Sequence, residues 1–323
     1  MPPIERLYLR LPNWVGDVCM SLPALSLLQS AGLPLTLCAR PWARDLLSGL
    51  PGHDFIPMTG RVWHDGMAVR RAMAAGPGRG RTRGLLLPDS LSSALVFFLA
   101  GIPSAGYRDD GRSPLLKWPV RKPAPGLHAV ESWYALARAA LRRWGLDPGS
   151  PAPGPGELAL TDAHRSAAGE HVARHGLKPA GFVLIAPTAT GLHRGKVKVW
   201  PHFDAYVRAL QADGVTVAMC PPASEADQAR RNAPTATLLP PLGLGAYAAL
   251  AQQAALVVCN DSGVSHLAAA VGARQLTLFG VTDRSRTGPW SPRAVCLGEN
   301  GAWPAVDAVL EHTATLLSDP ADT

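Results

Sequence analysis

Leu256-Val-Val-Cys-Asn-Asp-Ser-Gly-Val-Ser-His-Leu-Ala-Ala-Ala270 is the stretch whose reading decides the fold. Leu256–Asn260 is apolar up to its last residue and reads as a buried strand, and Gly263–Val271 reads as a helix. A strand that passes through a polar, glycine-bearing turn straight into a helix is half of a parallel βαβ unit. The N–H groups of Ser262, Gly263 and Val264 open that helix, and such a tip attracts anions. Gly263 lets a diphosphate approach the backbone closely. Asp261 and Ser262 are also ordinary capping residues, and His266, one turn in, reads equally as a surface or core histidine.

The same alternation extends outward in both directions. Upstream, strands are expected at Arg6–Leu11, Leu35–Ala39, Asp54–Met58 and Arg83–Pro88, with helices at Asp17–Ala31, Trp42–Leu50, His64–Ala75, Ser92–Ala100 and Glu131–Trp144. Around the opening stretch, strands fall at Phe182–Pro187, Val215–Cys220, Thr237–Leu239 and Gln275–Gly280. Helices fall at Phe203–Asp213, Glu225–Asn232, Leu244–Gln253 and Ala305–Leu317. Between the halves, Asp147-Pro-Gly-Ser-Pro-Ala-Pro-Gly-Pro-Gly-Glu157 cannot continue a helix and reads as a linker. The chain therefore divides into α/β halves at 1–156 and 157–323, a natural split for 323 residues. In such sheets, ligands sit beyond the carboxyl ends of the strands.

Composition narrows the function. Hydrophobic residues are 47% and charged residues 17%, which excludes a disordered chain. No apolar run approaches membrane-spanning length and the amino end has no secretory pattern, so a cytoplasmic protein is expected. Five unpaired cysteines fit buried thiols in a reducing compartment. Residues 1–156 hold 18 Lys/Arg against 10 Asp/Glu, a net of +8, and residues 157–323 hold 13 against 14, a net of −1. A basic first half suits an anionic partner: nucleic acid, an acidic membrane surface or an acidic glycan. No nucleic-acid recognition pattern accompanies it, so nucleic acid is set aside. No metal-ligand spacing, Walker loop or G-x-S-x-G elbow occurs, and neither a metal nor a cofactor is expected.

Four other loops carry chemistry. Leu11-Pro-Asn-Trp-Val-Gly-Asp17 ends the first strand with Asn13, Trp14 and Gly16 and opens a helix with Asp17. Spacing alone favours helix capping for Asp17 over a general base. Pro187-Thr-Ala-Thr-Gly-Leu-His-Arg-Gly-Lys-Val-Lys198 offers Thr188, Thr190 and Lys198 to phosphate, or is a solvated basic loop. Glu225, after Val215–Cys220, suits a ribose contact or a helix start. Leu87-Pro-Asp-Ser-Leu-Ser-Ser places Ser90 and Ser93 after a buried strand, with Arg108 beyond Gly106-Tyr107. These suit sugar or phosphate, or capping.

Asn13-Trp-Val-Gly-Asp17 with Leu22-Pro-Ala-Leu25 resembles the amino-terminal signature of the ADP-heptose:lipopolysaccharide heptosyltransferases, glycosyltransferase family 9. The likeness is greatest to heptosyltransferase II. It extends in order through Arg40-Pro-Trp-Ala-Arg-Asp-Leu-Leu-Ser48, Leu87 to Pro103, Gly106-Tyr-Arg108, Lys198-Val-Trp-Pro201 and Asn260-Asp-Ser-Gly-Val-Ser-His266. The resemblance implies a GT-B fold, two Rossmann-like domains whose parallel sheets face an interdomain cleft. It implies an acceptor-binding first half and a sugar-nucleotide-binding second half. The implied donor is ADP-L-glycero-β-D-manno-heptose and the implied acceptor is the anionic inner core of lipopolysaccharide, with room for peripheral contact with the inner membrane. It makes Asp17 the catalytic base and gives Lys198 a phosphate contact. It also assigns the donor to Thr188, Thr190, Glu225, Asp261, Ser262, Gly263 and His266. The acceptor falls to Asn13, Trp14, Gly16, Ser90, Ser93 and Arg108. The Thr188–Lys198 loop is longer and more basic than the family's. Three rivals stand beside this reading: another donor or acceptor within the family, a nucleotide-sugar epimerase, and a non-catalytic nucleotide-binding module.

Overall fold

The computed structural model describes residues 3–123, 126–189, 192–193, 195–299 and 301–318, with the side chains of 192 and 193 outside the description. The chain forms two compact units, 1–156 and 157–323. The first runs β1 (Arg6–Arg10), α1 (Val15–Met20), α2 (Leu22–Ser30), β2 (Leu35–Ala39), α3 (Ala43–Leu46), β3 (His53–Pro57), α4 (Val62–Ala74), β4 (Thr82–Leu86), α5 (Leu91–Ala100), β5 (Ser104–Tyr107), β6 (Trp118–Val120) and α6 (Ala129–Trp144). The second runs α7 (Asp162–Arg174), β7 (Phe182–Ala186), the short hairpin β8 (Leu192–His193) and β9 (Lys196–Val197), α8 (Phe203–Ala212), β10 (Thr216–Met219), α9 (Ala226–Asn232) and β11 (Thr237–Leu238). It continues through α10 (Leu244–Gln253), β12 (Leu256–Asn260), α11 (Gly263–Ala270), β13 (Gln275–Leu278), α12 (Arg284–Thr287), β14 (Ala294–Leu297) and α13 (Val306–Ser318).

Each unit is built on a six-stranded sheet with every pair parallel. The orders are β3-β2-β1-β4-β5-β6 and β11-β10-β7-β12-β13-β14, the same Rossmann order written twice. Helices cover both faces, so the inner strands β2, β4, β7 and β12 are buried along their whole length. The sequences of β2, β7 and β12 are correspondingly near-continuous in apolar residues, while β4 buries Thr82 and Arg83 beside its leucines. The second unit's core gathers Val183, Ile185, Val258 and Leu276 from the sheet with Trp200, Phe203, Tyr206 and Leu210. In the first, Leu86, Ala94, Phe97, Ile102 and Val69 pack under α4 and α5.

Several elements depart from the sequence expectation for identifiable reasons. The helix expected over Asp17–Ala31 is two helices, broken at Ser21 (φ −85°, ψ −6°). Pro23 has no N–H to continue the ladder across that point. The Trp42–Leu50 helix shrinks to the four residues of α3. The unexpected β6 contains Pro119, which an edge strand tolerates. The Pro/Gly linker is strapped to α6: Arg138 donates to the carbonyls of Pro148 (3.2 Å) and Pro151 (3.3 Å), and the Tyr134 hydroxyl to that of Ser150 (3.2 Å).

Candidate functional site

In the second unit the strand order reverses between β7 and β12, so the loops after these two strands flank the switch point where doubly wound sheets bind ligands. Thr188 lies two residues beyond β7, 7% exposed, and its hydroxyl donates to a carboxylate oxygen of Glu225. Glu225 arrives from the loop after β10 and sets the start of α9. Two side chains far apart in sequence thus meet at one rim. Asp261, Ser262 and Gly263 follow β12 directly. The Ser262 hydroxyl caps α11 by accepting the Val264 N–H at 3.3 Å. That N–H therefore already has an acceptor inside the protein, which leaves the N–H groups of Ser262 and Gly263 as the ones an anion would seek. The imidazole Nε2 of His266 lies 4.0 Å from the Asp261 carboxylate, and both side chains are largely buried. Lys198, half-buried, follows β9. Thr190 lies outside the described residues.

Asn260 is the residue that sequence reading passed over. It closes β12 and is fully buried. Its Oδ1 accepts the Trp200 N–H at 2.8 Å, and its Nδ2 donates to the carbonyls of Ala186 (3.2 Å) and Thr188 (3.4 Å). Trp200 is in turn held by an indole bond to Pro304 (2.9 Å) and by edge contacts with Phe203 and Tyr206. One amide thus joins the loop of Thr188, the segment leading from Lys198 to Trp200, and the turn of Asp261. Its only signal in the sequence is a polar residue ending an otherwise apolar strand.

In the first unit the order reverses between β1 and β4. Asn13, Trp14, Gly16 and Asp17 follow β1. Asn13 and Trp14 are exposed, Trp14 by 71%, while Gly16 is buried and Asp17 half-buried in the first turn of α1. The turn is supported from below by Arg10. This guanidinium, 6% exposed, donates to Asn13 Oδ1 (2.6 Å) and to the carbonyls of Leu11 and Cys38. Burial lowers the Arg10 pKa, the thiol of Cys38 and the carboxylate of Asp65 acting the other way. On the buried side of α1, burial and then the charge of Asp17 push the Cys19 thiol up to about 12.

Ser90 and Ser93 follow β4 but are engaged locally. Ser90 caps α5 by accepting the Ser93 N–H, and the Ser93 hydroxyl donates to the Ser90 carbonyl at 2.7 Å. Both are gathered by Arg112, a fully buried guanidinium that donates to the carbonyls of Tyr107 (2.6 Å), Pro88 and Ser90 and to Ser93 Oγ (3.2 Å). Arg108 is exposed after β5. The structure therefore brings the loops of Ser90 and Arg108 to neighbouring strand ends. It turns the Ser93 hydroxyl inward.

Comparison with known proteins agrees with this architecture. The profile of the family described as glycosyltransferase family 9 (heptosyltransferase) matches residues 79–314. Lipopolysaccharide heptosyltransferase 2 of Escherichia coli K12 is 28% identical over 312 residues, covering 88% of this chain and 85% of that one. The solved structure of Escherichia coli ADP-heptose lipopolysaccharide heptosyltransferase II superposes with a TM-score of 0.75 at 24% identity, over 97% of this chain and 98% of that one. An Escherichia coli heptosyltransferase solved with ADP gives 0.76 at 22% identity, over 96% and 99%. The fold is that of these GT-B enzymes.

Proposed function

The chain belongs to glycosyltransferase family 9, and from that premise we propose that it transfers a heptose from ADP-L-glycero-β-D-manno-heptose to the anionic inner core of lipopolysaccharide. The observation that carries the reading is the placing of Thr188 and Asp261–Gly263 at the strand ends flanking the second unit's switch point, with Glu225, from the loop after the neighbouring β10, bonded to Thr188. That is where an α/β sheet takes a nucleotide. The relative solved with ADP supports the nucleotide, and the relatives' names support the sugar and acceptor.

In this reading the second unit holds the donor and the first the acceptor. Glu225, already bonded to Thr188, takes a ribose hydroxyl. The N–H groups of Ser262 and Gly263, together with Lys198, receive the diphosphate. Fixed dipoles and a cation act here on charge that grows as the sugar–phosphate bond breaks. An acceptor hydroxyl attacks the anomeric carbon, the bond to the diphosphate oxygen breaks, ADP leaves, and Asp17 takes the hydroxyl's proton. The product carries the inverted configuration. Contact of the chain with the inner membrane is peripheral in this proposal, since the acceptor is lipid-linked.

Incubation with ADP-heptose and truncated core acceptors, read by mass spectrometry, tests donor and acceptor together. Asp17→Asn is expected to lose most turnover, about a hundredfold or more for a missing general base, with ADP affinity near that of the parent. Undiminished turnover in that variant rules out the base assignment.

A further inference from the structure

Four of the five large apolar side chains exposed among the described residues lie in the first unit: Trp14, Trp63, Leu91 and Phe98. Trp14 belongs to the turn already discussed. The other three lie on α4 and α5, and their spacing shows why they share a surface. On α4, Trp63, Met67, Arg70 and Ala74 recur at four, seven and eleven residues, one outward stripe. Asp65, Gly66 and Val69 on the other flank are buried. On α5, Leu91, Leu95 and Phe98 make a second stripe of the same period, while Ala94, Phe97 and Ala100 face the core. Gly66 lets the two helices touch, since a Cβ there would stand 3.1 Å from the Leu99 Cβ. Trp63 is 70% exposed and Phe98 54%.

The rim of this surface is basic. Arg61, Arg70, Arg71 and Arg79 are exposed. No described carboxylate pairs with any of the four. Arg79 lies over the carboxyl end of α5, 3.7 Å from where a Cβ on Gly101 would stand. Over residues 61–83 there are six arginines and one acid, the buried Asp65. The exposed Asp110 lies at the amino end of α5, where its carboxylate takes the Leu91 N–H, and Glu5 is paired with Arg81. Helix α5 is apolar nearly all round, a composition that suits a helix covered on both sides. One side of it is bare. Among the described residues no helix is long and apolar enough to cross a membrane.

An apolar stripe with an aromatic at the level of unpaired arginines is the pattern of a surface that lies in a lipid interface. Protein partners of a patch this basic would need matching carboxylates, whereas an anionic bilayer supplies both charge and apolar depth over the whole face. We infer that the outer face of α4 and α5 seats this chain on an anionic lipid surface, with Trp63 and Phe98 entering the headgroup layer and Arg61, Arg70, Arg71 and Arg79 meeting the phosphates. The inference rests on the peripheral contact proposed above and assigns it to a defined face.

The test is cosedimentation of the full chain with vesicles of phosphatidylcholine alone and with about a third phosphatidylglycerol, at low and high salt. The parent is expected to bind the anionic vesicles and to release in salt. Arg70→Ala with Arg71→Ala should lose about thirtyfold in affinity, at roughly fivefold per arginine near the surface. Trp63→Ala with Phe98→Ala should lose on the order of tenfold or more. Circular dichroism checks that each pair folds, and the single Trp63→Ala stands in if a pair does not. No binding by the parent, equal binding to neutral vesicles, or variants that bind like the parent would each overturn the assignment. So would a parent dimer in light scattering that Trp63→Ala with Phe98→Ala dissociates, since the face would then be a self-interface. Heptose transfer to a soluble core acceptor should be unchanged in these variants. A parent that binds vesicles but transfers no sugar refutes the proposed function and leaves the lipid face standing.

Discussion

Asn260→Ala removes one side chain and opens three bonds inside the second unit. The Trp200 N–H loses its only acceptor among the described residues, at a fully buried position. An orphaned buried donor costs about 1–3 kcal/mol. The carbonyls of Ala186 and Thr188 lose a donor each. A carbonyl keeps a second lone pair and suffers less, roughly 0.5–1 kcal/mol apiece. The sum is about 2–5 kcal/mol, concentrated where β7 and β12 deliver their loops. A chain of two units need not unfold in one step, so a global midpoint is the wrong readout. Hydrogen exchange of peptides covering 182–186 and 256–260 reports the local free energy directly. Protection there should fall by about 2–5 kcal/mol, with β1 and β4 in the other unit unaffected. The same variant should bind ADP at least about tenfold more weakly, equivalent to 1.4 kcal/mol, because the Thr188 loop and the Asp261 turn lose their common tie. Protection lowered by less than about 1 kcal/mol, or ADP affinity equal to the parent's, would refute the view that this amide organises the site.

Arg10→Met should lower kcat about tenfold or more, as misplaced reacting groups do, while donor KM holds, because it frees Asn13 and the turn bearing Asp17. Overall stability should change little, since losing three bonds is offset by no longer burying a charge; steady-state kinetics with thermal unfolding decides, and an unchanged kcat refutes the positioning role. Asp65 provides a pH test. Burial pushes its carboxyl up, but bonds from the Thr59 hydroxyl, the N–H groups of Thr59 and Gly60, and His64 outweigh this and hold it below the ordinary 3.8. A lowered folded value means stability that is present above 3.8 and lost as the pH falls through the folded value. Asp65→Asn should therefore be less stable than the parent at pH 7, by about 1–3 kcal/mol for charged hydrogen bonds. The gap should narrow as the pH falls below 3.8 and through the folded value, and a gap independent of pH contradicts the assignment. Finally, Cys19, Cys38 and Cys259 are buried with thiols pushed up to about 12. A thiol reagent at pH 8 should label Cys296 first, half-buried as it is, and the buried three only on unfolding.

The parallel architecture was legible because its strands are apolar runs ended by polar, glycine-bearing turns, Leu256–Asn260 above all. What escaped was set by tertiary context. Helix α7 buries only His164, Ala168 and Val172, too thin a stripe to register as helical period. Strand β6 is three residues with a central proline, and only its place at the sheet edge makes it a strand. The site shows the same division. Asp261, Ser262 and Thr188 announce themselves by type and by their place after strands. Asn260, Arg10 and Arg112 do not, because their importance is in what they bond to at long range. The inward turn of Ser93 likewise depends on Arg112, nineteen residues away in sequence.

The charge of the first unit illustrates how position changes the meaning of a count. A net of +8 suggests a uniformly attractive surface, yet several of its cations are spent internally. Arg10 and Arg112 serve backbone carbonyls, Arg83 is buried, and Lys122 is held between Asp89 and Asp109. Buried guanidiniums of this kind shape loops, and their field at the surface is weakened by the groups that surround them. Part of the positive charge left to act on a partner lies along the outer side of α4 and at the end of α5, where no described carboxylate pairs with Arg61, Arg70, Arg71 or Arg79. An acidic glycan would be met by Arg108 at the strand ends, and an acidic lipid by Arg70, Arg71 and Arg79 on the helices. The two proposed roles call on different arginines, so Arg108→Ala should weaken acceptor binding without releasing the chain from anionic vesicles, and Arg70→Ala with Arg71→Ala should do the reverse.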